Sequence, residues 1–178
     1  MKSIDDKINV FKTELSLFIE KLDLNENIIE FDFETNLEKI NKINSSGIYF
    51  IEILNNSKNK LFSDWYSEFE KKWNSEEIKN AKVPKPIKKQ ISVHQICVDN
   101  WTLLYIGKSK NIGKRVNEHI THKLEAQTYS MKIKQRNLLN KDKFRVKFIK
   151  IETENYSEVM PIIENKLRNK FNPIIGKK

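Results

Sequence analysis

Apolar positions along this chain repeat with two different periods. Ile4, Ile8, Phe11, Leu15, Phe18 and Leu22 recur at three- and four-residue steps, which predicts an amphipathic helix over residues 3–22 with Ser3 as its N-cap. A short helix is expected at 37–43, before Ser45, Ser46 and Gly47 break the pattern. The β-branched and aromatic run 48–54, closed by Asn55 and Asn56, has the profile of a buried strand. Trp65, Phe69 and Trp73 at i, i+4 and i+8 place a core-facing stripe on a helix within 62–80. Two prolines, Pro84 and Pro86, exclude helix from the basic stretch 82–89, which reads as an exposed loop. Strands are expected at 91–98 and 101–106, joined by a turn at Asp99 and Asn100.

Ile112, Val116 and Ile120 share one face of a helix opened by Asn111, and a further helix is expected over 130–140. Residues 144–151 alternate apolar with basic positions, as a half-exposed strand does, and a last helix runs from about Ser157 to Lys170 before Asn172 and Pro173 end it. This order of elements implies an α+β fold with a mixed, mainly antiparallel β-sheet flanked by helices.

A length of 178 residues suits one core, so residues 1–178 are read as a single domain with 1–46 as a helical N-terminal extension. Cys97 is the only cysteine, which excludes an intramolecular disulfide and a cysteine-based zinc cluster and leaves the cytoplasm as the default location. No apolar run approaches membrane-spanning length, so no membrane partner is expected. The net charge of +9 is unevenly distributed: residues 79–150 hold 18 Lys and Arg against 4 Asp and Glu, while residues 1–46 hold 6 against 10. A lysine-rich chain can reflect an AT-rich genome alone, but this concentration in one segment also suits a surface that faces a polyanion.

Gly47-Ile48-Tyr49 lies on the first long strand and Tyr105-Ile106-Gly107 ends another. The second tripeptide continues through Lys108 and Asn111 to Arg115, ten positions after Tyr105, with His119 four residues later, Glu164 in the last helix and Pro173 nine residues beyond it. This spaced set resembles the GIY-YIG nuclease family over 47–54 and 102–176, most closely its stand-alone type II restriction endonucleases. There are two departures. The family usually has about ten residues between its two tripeptides, so 55–100 is an insertion here, with its basic stretch placed to contact DNA. The family's Asn about twelve residues after the glutamate is replaced by Gly176, with Asn172 the nearest substitute.

Arg115 and His119, at i and i+4, project from one helix face, where both can reach one phosphate. Arginine suits that position because its fixed fork grips two oxygens. The resemblance implies that Glu164 holds one Mg²⁺ or Mn²⁺ ion per active site, as a hard carboxylate oxygen can. It also implies that Tyr49 is the general base for a nucleophilic water, with Tyr105 and His119 positioning it or sharing its proton. Lys108, Arg115 and the metal would favour the phenolate. Which of Tyr49, Tyr105 and His119 removes the proton stays open at this point, and His94 and His122 match no motif. Lys85, Lys88, Lys89, Lys110 and Lys114 are the expected DNA contacts. The implied function is metal-dependent, sequence-specific cleavage of double-stranded DNA by a homodimer, with the N-terminal helix either forming the dimer surface or covering the core. A phage or mobile-element nuclease and a non-catalytic DNA-binding module on the same scaffold are the alternatives.

Overall fold

The computed structural model describes residues 3–35, 37–55, 61–90, 93–94 and 100–176. Helix α1 (Ile4–Glu20) starts at Ser3, whose hydroxyl accepts from the Asp6 N–H while the Asp6 carboxylate accepts from the Ser3 N–H, a reciprocal cap that satisfies two end donors. Strand β1 (Ile28–Phe31) and helix α2 (Glu38–Asn41) lead into β2 (Gly47–Leu54), which is followed by α3 (Phe62–Trp73), β3 (Lys85–Pro86), β4 (Trp101–Ser109), α4 (Ile112–Thr121), β5 (Phe144–Lys150), α5 (Tyr156–Phe171) and β6 (Ile175–Gly176). The main sheet has the order β1-β5-β2-β4, and its three pairings are all antiparallel. The helix-flanked antiparallel sheet expected from the periodicities is the one that forms.

Strand β2 is buried on both faces, which is why its sequence is almost continuously apolar. Tyr49, Ile51 and Ile53 join a core that includes α3 and α4, while Ile48 and Phe50 join a second core that includes α1 and α5. In α1 only Leu15 and Ile19 are buried, and Ile4, Ile8, Phe11 and Phe18 of the expected stripe are exposed. Phe62, Tyr66, Phe69 and Trp73 form the buried face of α3, with Trp65 packed against its edge.

Three expectations change. Helix α3 ends at Trp73, short of residue 80, and a single 3-10 turn follows at Glu76–Ile78. The stretch 130–140 forms two 3-10 turns, Ile133–Gln135 and Asn137–Leu139, rather than one helix. Lys132 takes a left-handed conformation, and its ammonium donates back to the carbonyls of Leu124 and Ala126, so the chain wraps around its own side chains. The proline stretch is only partly an exposed loop. Lys85 and Pro86 pair with Gly176 and Ile175, Val83 is buried, and Lys88 and Lys89 remain exposed. Asp99 of the expected turn and most of the strand expected at 91–98 lie outside the described residues, while Asn100 forms a bend whose carbonyl accepts from the Asn55 N–H.

Candidate active site

The two tripeptides, far apart in sequence, are neighbours across the β2–β4 pair: Gly47 faces Ser109, Tyr49 faces Gly107 and Ile51 faces Tyr105. This register puts both tyrosines on one face of the sheet, with ring centroids 6.2 Å apart. The helix after β4 begins with Asn111, whose side chain accepts from the Lys114 N–H, and Ile112, Val116 and Ile120 fasten it to the core. His119 is thereby brought against both tyrosines, with its ring 5.7 Å from that of Tyr49 and 5.1 Å from that of Tyr105.

His119 is fully buried and both of its ring nitrogens are engaged. The Met131 N–H donates to Nδ1 at 3.1 Å, which leaves Nδ1 without a proton. The neutral ring therefore carries its proton on Nε2 and donates it to the Tyr49 hydroxyl oxygen at 2.9 Å. Burial holds the His119 pKa well below the usual histidine range, and the nearby Arg115 and His122 lower it further. The Tyr49 phenol is pushed well up by burial and by Tyr105, while Arg115 pulls in the opposite direction. Burial and the Glu164 carboxylate raise Tyr105, against Arg115 and Arg168.

Arg115 is oriented by two acceptors, the Glu118 carboxylate at 2.7 Å and the Tyr129 carbonyl. Glu164 comes from α5 with its side chain 16% exposed, and stands 3.6 Å from Lys108 Nζ and 3.8 Å from an Arg168 nitrogen. Both distances exceed those of a charge-assisted hydrogen bond, so neither cation closes off the carboxylate. Among the described residues no group of three or more His, Cys, Asp or Glu side chains gathers as a ready-made metal cage. One open, hard carboxylate fits Mg²⁺, which keeps several waters and takes further oxygens from substrate.

A family model described as the GIY-YIG catalytic domain matches residues 90–178, half of the chain. The chain belongs to the GIY-YIG family. No curated protein and no solved structure matches it. The match makes this a nuclease domain, with DNA as the implied substrate. Its range excludes Tyr49, which β2 nevertheless sets beside the matched Tyr105 and His119.

Tyr49 forms one cluster with Tyr105, Lys108, Arg115, His119 and Glu164 of the GIY-YIG domain. The basic residues expected to contact DNA are dispersed. Lys85, Lys88 and Lys89 line a cavity of about 750 Å³ together with Arg168 and Asn169 of α5, and Arg168 connects that cavity to Glu164. Lys110 lies over the Tyr156 ring, and Lys114 is exposed on the first turn of α4. Asn172, the nearest substitute for the family's asparagine, caps α5 in a left-handed conformation, and its carbonyl meets His94 Nε2. A Cβ placed on Gly176 would lie 2.6 Å from Arg168 Nη2, so Arg168 fills the space that a side chain there would need. Sequence reasoning missed Glu118 and Arg168, although each stands at helical spacing from a recognised residue; no local signal marked Tyr129 or the Met131 N–H. Among the described residues no helix is long and apolar enough to cross a membrane.

Proposed function

We propose that this protein is a metal-dependent endonuclease that hydrolyses phosphodiester bonds in double-stranded DNA at specific sequences, in the manner of a type II restriction enzyme. The observation that carries this reading is the buried Tyr49–His119 hydrogen bond, flanked by Tyr105 and facing Arg115. Because the two ring nitrogens of His119 are both committed, its role is to donate to Tyr49 and hold the phenol in place. Tyr49 is then the general base. Its phenolate accepts a proton from water as the water oxygen bonds to phosphorus and the bond to the 3′ oxygen breaks. The Nε2–H of His119 and the Arg115 charge stabilise that phenolate, against the burial that raises its pKa. Arg115 also faces the charge that develops on the phosphoryl oxygens. Glu164 would hold one Mg²⁺ or Mn²⁺ ion, which when bound neutralises charge on the departing oxygen.

The connection 55–100 is the proposed recognition segment, since its lysines line the cavity that Arg168 joins to the active site. Double-strand cleavage needs two attacks of opposite polarity, which a two-fold pair of these single sites would supply. We assign the exposed apolar positions of α1, Ile4, Ile8, Phe11 and Phe18, to that dimer surface. Sedimentation with and without a cleaved duplex tests the assembly, and a monomer on DNA that only nicks would refute it.

The deciding experiment is plasmid cleavage with Mg²⁺ and then with EDTA, followed by mapping of the fragment ends. Discrete fragments that vanish with EDTA are expected. Glu164→Ala should abolish cleavage and leave DNA binding largely intact, because the lost carboxylate serves the metal rather than the duplex. Near wild-type cutting by that variant would overturn the metal assignment.

A further inference from the structure

Arg136 has no part in the cluster described above, yet it is completely buried. Burying a guanidinium is costly unless its hydrogen bonds are well made. Among the described residues no carboxylate hydrogen-bonds to it, and Glu77 acts on it only through its field. Two of its three nitrogens donate instead to backbone carbonyls, and Nη2 is buried without a partner among the described residues. Nε donates to Met131 O at 2.8 Å and Nη1 donates to Trp73 O, while the guanidinium carbon lies 3.8 Å from the centre of the Trp73 ring. A buried cation that spans two carbonyls and a ring fixes the relative position of the segments that carry them.

Those segments are the end of α3, in the connection between β2 and β4, and residue Met131, whose N–H donates to His119 Nδ1. Trp73 is anchored in turn, because its Nε1–H donates to Pro84 O at 3.0 Å. A continuous path therefore runs from Pro84 through Trp73, Arg136 and Met131 to His119 and the Tyr49 hydroxyl. Each link is a directed hydrogen bond, and the Met131 link decides which nitrogen of His119 bears the proton.

We infer that Arg136 is a positioning residue: by holding Met131 against Trp73 it keeps His119 in the Nε2–H form that donates to Tyr49, so the connection between β2 and β4 braces the active site. A lysine at this position keeps the charge but loses the planar fork that reaches the two carbonyls from separate nitrogens and stacks on the Trp73 ring. A methionine would fill the space and remove both bonds.

The test is the imidazole ¹⁵N spectrum of His119 at neutral pH in the full chain, in wild type, Arg136→Met and Arg136→Lys, with thermal unfolding run alongside. In wild type Nδ1 is expected to be unprotonated and Nε2 protonated. In both variants the two tautomers should mix at an unchanged fold. A wild-type His119 spectrum in a folded Arg136→Met protein overturns the inference. If that variant does not fold, Arg136→Lys carries the same decision. Insofar as the nuclease reading holds, kcat should fall at least about tenfold with KM nearly unchanged, since a mispositioned phenol affects the chemical step rather than DNA binding. The spectrum does not depend on cleavage, so a failure of the nuclease reading would leave the tautomer result intact.

Discussion

The phenol of Tyr49 lies over the Cα of Gly107, its partner across the β2–β4 pair, so closely that a Cβ on Gly107 would stand 2.4 Å from the Tyr49 hydroxyl. Ring and methyl group cannot share that space, so Gly107→Ala should push the phenol aside by about an ångström. Misplacement of that size costs on the order of 10²-fold in rate. Single-turnover cleavage, with circular dichroism to confirm the fold, measures the effect. An undiminished rate would mean that the position of the phenol is not critical.

Arg115→Lys keeps a positive charge but loses the fork that reaches Glu118 and the Tyr129 carbonyl together. Removal of one preorganised donor to a transition state lowers rates by about 10²–10³-fold. That loss is expected in kcat, and full activity in the variant would count against contact with the scissile phosphate.

Neutralising Lys85, Lys88 and Lys89 together should weaken DNA binding and flatten its salt dependence. Each true phosphate contact contributes about 0.9 to the slope of log K against log salt. Lys88 and Lys89 are exposed and Lys85 half-buried, so binding titrations at several salt concentrations will count how many take part. An unchanged slope would place the 750 Å³ cavity away from the duplex.

Acid should destabilise the protein through His119. Burial, with Arg115 and His122 nearby, holds its folded pKa well below 6.5, whereas the unfolded chain takes up a proton near that value. The neutral ring's contribution is therefore complete above about pH 6.5 and declines as pH falls from there towards the folded pKa, by at most about 1.4 kcal/mol per pH unit. Urea unfolding at pH 7.5, 6.5 and 5.5 should show this slope in wild type and a shallower one in His119→Gln. Parallel slopes would mean that the ring is not held neutral.

Features written in local periodicity could be read from the sequence. The apolar steps of α1 and α4, the Asn172-Pro173 stop of α5 and the continuous apolar run of β2 each have a local cause, and each was legible. The stretch 130–140 was not, because its shape is set by Lys132 and Arg136 reaching carbonyls elsewhere in the chain. The pairing of Lys85 and Pro86 with Ile175 and Gly176 joins segments about ninety residues apart, and a proline stretch gives no hint of such a partner. In the candidate site, Tyr49, Tyr105, Arg115, His119 and Glu164 are marked by the family resemblance of their motifs, and the structure brings them together. The state of His119 could not be read that way, since it depends on a backbone N–H delivered by a loop.

Strand β4 pairs with β2 at one edge of the sheet, yet residues 55–100 separate the two in sequence. The thermodynamic penalty of so long a connection is modest. Loop-closure entropy grows only with the logarithm of length, so going from about ten residues to about fifty adds roughly 1.4 kcal/mol. The kinetic penalty is larger, because the two strands must find each other across a wide stretch of chain before any of their contacts stabilise the pair. The protein should therefore fold slowly for its size. During that search β2, apolar on both faces, is the segment most exposed to mispairing with another chain.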